Sequence, residues 1–275
     1  MDKSRVQFSL GPHFSFEKRK FFMETPIIFK SGGQQIIGTL HLPKTNRKTP
    51  LIILVHGWGG NSLGAWNTVF VKAARTFTKS GFAVLRFDFR GSGNSQGEFE
   101  NQTISSMLLD LKNIIDQIAK HEVINSNKIV LIGHSQGGYL SILHTPEDKR
   151  VKMVVLWMGR TADLKYFWSK TTFEDIKRKG YAIWDEYKVL NKKYVADSAK
   201  YNSESALRKI GVPIGMIYGE LDTIVPPSEG LRVKKLAKSV KVLKIFNDLD
   251  HGFTGEKVQK KVIGTTLGFL KKWFH

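Results

Sequence analysis

The chain has 275 residues, of which 41% are hydrophobic, and its 43 Lys and Arg outnumber its 24 Asp and Glu to give a formal net charge of +19. This length and apolar content are enough for one domain with a full core and a small insertion. Cysteine is absent, which excludes disulfides, thiolate nucleophiles and Cys-ligated metal sites, so any nucleophile must be an oxygen or a nitrogen.

The chain opens with residues 1–21, which we expect to form an N-terminal arm or an extra edge strand. Two apolar runs, Phe22–Phe29 and Gln35–Leu42, then flank a Ser-Gly-Gly tripeptide. Glycine readily adopts the positive φ that a tight turn needs. The two runs therefore predict an antiparallel hairpin at the edge of a sheet.

Beyond this hairpin, short apolar runs rich in β-branched residues alternate with segments of helical period. This alternation is typical of an α/β fold in which a mostly parallel central sheet has helices on both faces. Between the second and third runs, apolar residues from Ile104 to Ile118 recur at helical spacing and predict a helix that covers the sheet. The predicted strands are Leu51–Val55, Phe82–Phe87, Lys128–Ile132, Val151–Leu156, Val212–Ile217 and Lys241–Phe246.

Residues 159–208 break the alternation, because they combine many aromatic residues and lysines without a strand signal. A structureless loop of that length is uncommon, so we predict a small helical insertion between two parts of the core, residues 22–158 and 209–275. It follows a parallel strand and should lie over the carboxyl edge of the sheet, where such folds bind ligands. The insertion is interpreted as a lid, with ordinary packing of a two-helix excursion as the alternative. The candidate substrate contacts are Tyr166, Trp168 and Trp184.

A Gly-His-Ser-Gln-Gly segment at positions 133–137 matches the G-x-S-x-G pattern of a strained turn that presents a nucleophilic serine. The pattern alone is weak. Its surroundings strengthen it, because Lys128–Ile132 predicts a buried strand that ends at the motif and the residues after it continue as a helix. Ser135 is therefore the candidate nucleophile.

A serine hydroxyl needs a neighbouring imidazole to accept its proton and a carboxylate to orient that imidazole. His251 lies in a polar loop after the last predicted strand and is the candidate base, whereas His134 adjoins the serine and is expected to point elsewhere. Asp222, in the turn after Val212–Ile217, is the candidate acid. Glu220, Asp248 and Asp250 are its competitors.

Acyl transfer also needs donors for the oxyanion. The His-Gly-Trp-Gly-Gly segment at positions 56–60 follows a strand and leaves its backbone exposed, so the N–H groups of Trp58 and Gln136 are the predicted pair. In the loop after the predicted strand Phe82–Phe87, Asp88 and Arg90 are interpreted as a structural charged pair near the sheet edge.

Taken together, five segments resemble the α/β-hydrolase superfamily, in order and over nearly the whole chain from about residue 22. They are HGWGG (56–60), FDFRGSGNS (87–95), GHSQGG (133–138), GELDTIVP (219–226) and DHGF (250–253). Within that superfamily the chain is similar to cinnamoyl and feruloyl esterases. The resemblance implies a cofactor-free acyl-enzyme mechanism through Ser135, Asp222 and His251, with Trp58 and Gln136 as oxyanion donors.

The sequence thus predicts a carboxylesterase for short-chain or aromatic, cinnamoyl-like esters. A serine aminopeptidase, a thioesterase or a monoacylglycerol lipase would use the same residues, and a non-catalytic binding protein on the same fold is a further alternative. Neither a dinucleotide-binding nor a Walker spacing is present, so no cofactor is expected.

The positive charge also raises the question of nucleic acid, because a basic surface attracts polyanions. Lysines and arginines are spread from Lys3 to Lys272, however, and no helix-turn-helix, RNP or zinc pattern accompanies them. A small-molecule ester is therefore the expected partner, not nucleic acid. With no apolar run near about 18 residues and no signal-peptide core, we expect a cytoplasmic monomer or homodimer without a membrane span.

Overall fold

Eight strands form one sheet in the part of the chain that the structure, a computed structural model, describes: residues 22–65, 67–163, 169–184 and 188–274. Two further strands, β7 and β8, form a separate small sheet. The strands are β1 (Phe22–Ser31), β2 (Gln34–Pro43), β3 (Thr49–Val55), β4 (Ala83–Phe87), β5 (Ile124–His134), β6 (Val151–Trp157), β7 (Tyr181–Trp184), β8 (Lys188–Asn191), β9 (Ile214–Gly219) and β10 (Val240–Phe246).

The strand order of the main sheet is β1-β2-β4-β3-β5-β6-β9-β10. The β1–β2 and β2–β4 pairs are antiparallel, and every later pair is parallel. The hairpin predicted from sequence thus lies at one edge. Each predicted parallel strand is present, with ends shifted by a few residues.

Helices cover the sheet because each carries one apolar face. In α2, Thr103 and Ser106 form a capping box in which each side chain accepts the other's backbone N–H, and the helix buries a stripe from Ile104 to Ile118. Helix α1 packs against α8, while α2 packs against α3. The helices are α1 (Val69–Lys79), α2 (Ile104–Ile118), α3 (Gln136–His144), α4 (Lys170–Lys179), α5 (Lys192–Ser198), α6 (Ser203–Lys209), α7 (Pro227–Leu236) and α8 (Glu256–Trp273), with short 3-10 turns at Phe99–Asn101 and Thr145–Glu147.

The core lies on both faces of the central strands. In β3, Leu51–Val55 are completely buried, as are Ile129–Ile132 in the neighbouring β5. Each such side chain contributes about 1.5–3 kcal/mol through burial. Because β3, β5, β6 and β9 run parallel, their carboxyl ends meet at one edge of the sheet, and the loops that follow them lie close together.

The insertion contains α4, the β7–β8 hairpin, α5 and most of α6. Its helices agree with the sequence analysis, and the two-stranded antiparallel sheet is an addition that the sequence analysis does not predict. Only Ala182 and Leu190 of the hairpin's described side chains are buried. None of the helices in the described ranges is long and apolar enough to cross a lipid bilayer.

The two edge strands of the described sheet each carry residues that hinder pairing with a further strand. Strand β1 contains the exposed Pro26, which has no backbone N–H to offer to another strand. Strand β10 exposes Lys241 and Lys244.

Candidate active site

Ser135 lies in the sharp turn between β5 and α3. Its backbone has φ 52° and ψ −121°, an uncommon conformation for a residue with a side chain, which marks local strain. The flanking glycines permit the turn, since a Cβ at Gly133 would collide with the Gly137 carbonyl and one at Gly137 with the carbonyl of Val55. The turn leaves the Ser135 side chain half-buried at the carboxyl edge of the sheet.

His251 and Asp222 meet at the same edge. The two side chains are joined by a 2.7 Å contact between His251 Nδ1 and Asp222 Oδ2, and both residues are more than 90% buried. The other carboxylate oxygen of Asp222 accepts the backbone N–H groups of Ile224 and Val225, at 2.8 and 2.7 Å. Because a carboxylate can only accept, Nδ1 of His251 carries the proton and Nε2 of the neutral ring is left as the basic nitrogen.

Ser135 and His251 line one cavity of about 140 Å³, together with the loop after β3. That loop contributes Gly57, Trp58 and residues 59–61, and a Cβ added to Gly57 would stand 3.0 Å from the Ser135 Cβ. Nucleophile and base candidates from distant parts of the sequence therefore face the same small space. The described residues of this cavity leave room for a small group next to the serine.

His56 anchors the loop after β3. Its Nε2 accepts the backbone N–H of Phe89 at 3.0 Å, so its Nδ1 carries the proton and donates to the Gly57 carbonyl at 2.8 Å. Burial lowers the pKa of His56, which keeps the ring neutral. These two bonds fix the backbone on which Trp58 stands, and the Trp58 ring packs 5.3 Å from that of Phe99, measured between centroids.

Gln136, the first residue of α3, is buried directly behind the serine. Its side-chain carbonyl accepts a bond of 2.9 Å from Arg160 Nη2, and its amide nitrogen donates to the Tyr194 hydroxyl of α5. Arg160 also donates its backbone N–H to the Ser135 carbonyl at 2.8 Å and places its guanidinium 4.0 Å from the centroid of the Tyr139 ring. The polar side chain of Gln136 is thus held in place from two sides.

Comparisons with known proteins give the family and the fold of this chain. A model of the prolyl oligopeptidase family matches residues 67–275. The chain belongs to the prolyl oligopeptidase family. Est1E from Butyrivibrio proteoclasticus, solved with ferulic acid, superposes with a TM-score of 0.80 at 24% identity, covering 90% of this chain and 98% of that one. With its strand order, this likeness shows an α/β-hydrolase fold.

Two relatives known from sequence are an uncharacterized 31.7 kDa protein of Escherichia coli from the traX-finO intergenic region and human mitochondrial palmitoyl-protein thioesterase ABHD10. The first is 37% identical over 117 residues, which cover 42% of this chain, and the second is 28% identical over 209 residues, which cover 69%. The chain spans 40% and 62% of the lengths of these two relatives, respectively.

The expectation for His134, the neighbour of Ser135, is wrong. His134 does not point elsewhere, because it lines the same cavity and its ring centroid lies 4.7 Å from that of His251. Its Nε2 donates to the His251 carbonyl at 3.1 Å. Burial and the neighbouring His251 hold the pKa of His134 well below its usual value, so it serves as a neutral support for the histidine loop.

Asn67 is a second contact that the sequence analysis misses. Its amide nitrogen donates to the carbonyls of Gly252 and Phe253, at 2.5 and 3.0 Å, and so ties the loop after β3 to the histidine loop. No motif marks this residue, because its partners are backbone carbonyls about 185 positions away.

The interpretation of Asp88 and Arg90 as a pair is also wrong. Arg90 bonds to the fully buried Asp110 of α2 through Nε and Nη2. Asp88 instead accepts backbone N–H groups from Ser62 and Asn94. Both residues fix loops, as expected, but each does so with a different partner.

The three aromatic residues proposed as lid contacts are not placed. Tyr166 and Trp168 lie outside the described residues, and Trp184 is the last residue of β7 with a side chain that is likewise outside them. Within the described ranges, no group of three or more His, Asp or Glu side chains is arranged to hold a metal ion.

Proposed function

We propose that this protein is a serine hydrolase that cleaves small carboxylic esters through an acyl-enzyme. The observation that carries the proposal is the shared cavity of Ser135 and His251, with the far nitrogen of His251 bonded to Asp222. A hydroxyl, an imidazole and a carboxylate in this sequence of contacts form the arrangement that activates a serine.

In the first half of the reaction, His251 Nε2 takes the proton of Ser135 as its oxygen attacks the ester carbonyl. The backbone N–H groups of Trp58 and Gln136 bind the oxyanion that forms. The carbon–oxygen bond to the alcohol then breaks, and the alcohol leaves with the proton that His251 returns. Water repeats the sequence and releases the acid, with no cofactor.

The size of the cavity supports a substrate class. About 140 Å³ beside Ser135 suits a short or flat acyl group better than a long acyl chain. We therefore favour short-chain or aromatic, cinnamoyl-like esters. Thioester cleavage is a second candidate, supported by the 28% identity with a palmitoyl-protein thioesterase, and amide cleavage is a third, suggested by the name of the family.

The decisive experiment compares wild-type protein with Ser135→Ala on 4-nitrophenyl butyrate. We expect turnover to fall by about a millionfold, as it does when the nucleophile of a triad is removed. The exposed Ser80→Ala is the control and should retain wild-type turnover. Full activity of Ser135→Ala would disprove the proposal.

Two further measurements separate the alternatives. A fluorophosphonate should label Ser135, and absence of an adduct would favour a binding protein without catalysis. Butyryl anilide and butyryl thioester, assayed beside the oxygen ester, show which leaving group the protein accepts. We expect the oxygen ester to have the highest kcat/KM.

A further inference from the structure

A second cavity, of about 360 Å³, adjoins the one that contains Ser135. It lies between the loop after β3, the middle of β2 and the end of β4, and Asn61 lines both cavities. Its polar lining consists of Thr39, Asn61, Ser62, Arg86, Asp88 and Asn94, and we call it the Arg86 cavity. Asn61 is thus the residue shared by the two cavities, and a substrate bound at Ser135 would have to extend beside it to enter the second.

Arg86 brings unused hydrogen-bond donors into this cavity. Its Nε donates to His41 Nε2 at 3.0 Å and its Nη1 to the Ser62 carbonyl at 3.3 Å, whereas a guanidinium has five N–H groups. No carboxylate of the described residues lies within 4 Å of it. His41 is no counterion, because burial and Arg86 itself lower the pKa of this histidine to about 4 and keep it neutral.

Asp88 brings acceptors. Asp88 lines the cavity although it is only 1% exposed, and each of its oxygens accepts one backbone N–H, from Ser62 and from Asn94, while a carboxylate oxygen can accept a second bond. The Arg86 cavity therefore offers donors and acceptors together, and the charges of Arg86 and Asp88 cancel. An anion would be repelled by Asp88 and a cation by Arg86. A hydroxyl group donates and accepts at once, so neighbouring hydroxyl groups satisfy both residues.

We propose that the Arg86 cavity binds the polyhydroxylated alcohol part of the ester that is cleaved at Ser135, an inference that rests on the proposed function. The alcohol part fits better than the acyl part because the cavity is open to water beside the exposed Leu63 and Asn94. A leaving alcohol must return to solvent, while the acyl group stays bonded to the serine. Glycerol and pentoses both carry neighbouring hydroxyl groups and are the two candidate alcohols.

The test uses butyrate esters that share the acyl group and differ in the alcohol. Glyceryl and propyl butyrate have the same three-carbon alcohol skeleton, with and without two free hydroxyl groups. We expect the wild-type kcat/KM to favour the glyceryl ester by about tenfold, since hydrogen bonds to charged groups are among the stronger ones. A butyrate ester of methyl xyloside, assayed in parallel, distinguishes a sugar from glycerol.

Two variants assign the preference to the cavity. Arg86→Met removes the donors at similar length and should bring the glyceryl-to-propyl ratio close to one. Asn94→Ala, at an exposed position that carries little risk for folding, should lower the ratio by a smaller factor. Arg75→Met, which removes an exposed arginine paired with Glu24, is the matched control and should leave the ratio unchanged.

The outcomes separate this inference from the proposed function. Equal rates on the polyol and propyl esters, or a ratio unaffected by both variants, would overturn the inference and leave ester hydrolysis standing. A preference for the ester of 3-hydroxypropanoate would show an anion site instead. If no butyrate ester is cleaved and Ser135 takes no fluorophosphonate, both proposals fail.

Discussion

The main sheet and the insertion are held together in different ways. In the sheet, whole strands are removed from water, as Leu51–Val55 of β3 show, and apolar burial supplies the stability. In the insertion, α4 buries only Ile176. The insertion is attached to the sheet domain partly by polar contacts, such as those of Asp197 with the backbone and side chain of Ser105, at 2.7 and 2.6 Å.

This difference has consequences for function. A hydrogen bond contributes about 1 kcal/mol net. Detaching a segment that is held by a few hydrogen bonds therefore costs less free energy than removing a buried strand from the sheet. The sheet domain therefore sets the geometry of Ser135, Asp222 and His251, and the insertion contacts this region through single side chains such as Tyr194, which bonds to Gln136. Changes in the sheet should alter chemistry or stability strongly, and changes in the insertion should alter them slightly.

After the loss of Ser135 itself, the largest effect is expected at Asp222. Asp222→Asn keeps an oxygen for the N–H groups of Ile224 and Val225 but presents an amide to His251, which favours the ring tautomer with its proton on Nε2. We expect kcat on 4-nitrophenyl butyrate to fall by about 10⁴-fold with the fold intact. Asp250→Asn, which changes the neighbour of His251, is the control, and a similar loss there would argue against Asp222 as the partner.

A smaller effect, on stability, is expected at His41 in β2. Its pKa is about 4 in the folded protein against an ordinary value of 6.5, so the unfolded chain takes up a proton first as the pH falls. The contribution of His41 to the free energy of unfolding is therefore highest above pH 6.5 and decreases toward pH 4. Between pH 7 and pH 5 this group should account for about 2 kcal/mol.

Urea unfolding at both pH values measures this contribution. His41→Gln keeps an acceptor for Arg86 Nε but does not titrate, so its unfolding free energy should depend less on pH than that of the wild type. The buried His56 and His134 remain in both proteins and preserve part of the dependence. Equal pH dependence in the two proteins would show that His41 is not a source of it.

The smallest effect is expected where the insertion reaches the site. Tyr194→Phe removes the hydroxyl that accepts from the Gln136 side chain, and the backbone N–H of Gln136 is a proposed oxyanion donor. Loss of one hydrogen bond should lower kcat about fivefold and leave KM nearly unchanged. Tyr201→Phe removes another hydroxyl of the insertion, which bonds to Ser105, and should not change kcat. A change in KM alone would point to substrate contact rather than positioning.

The difference between the buried sheet and the single contacts of the insertion also decides what the sequence predicts. Strands such as Leu51–Val55 and the helix from Ile104 to Ile118 are predicted because one buried face imposes a period on the residues. Ser135 and His251 are placed by motifs at strand ends, and the structure brings both to one cavity. Whether they catalyse the reaction proposed stays a prediction.

What the sequence does not predict depends on contacts between distant segments. The hairpin of β7 and β8 has four residues in each strand, too few for a period to be recognised. The support of His251 by His134 and the bond from Tyr194 to Gln136 involve single side chains, and nothing in their local sequence specifies a partner. The mistaken pairing of Asp88 with Arg90 has the same origin, because Asp110 lies 20 residues further on.

Two of the chain's many lysines lie at one margin of the described sheet. Lys241 and Lys244 lie on the outermost strand β10, and Pro26 interrupts the donors of β1 at the opposite margin. A strand of another copy that approached β10 would meet ammonium groups, and one that approached β1 would find no backbone N–H at Pro26. We expect these two lysines to hinder edge-to-edge pairing between copies, so that neutral residues at 241 and 244 would make the chain more prone to aggregate.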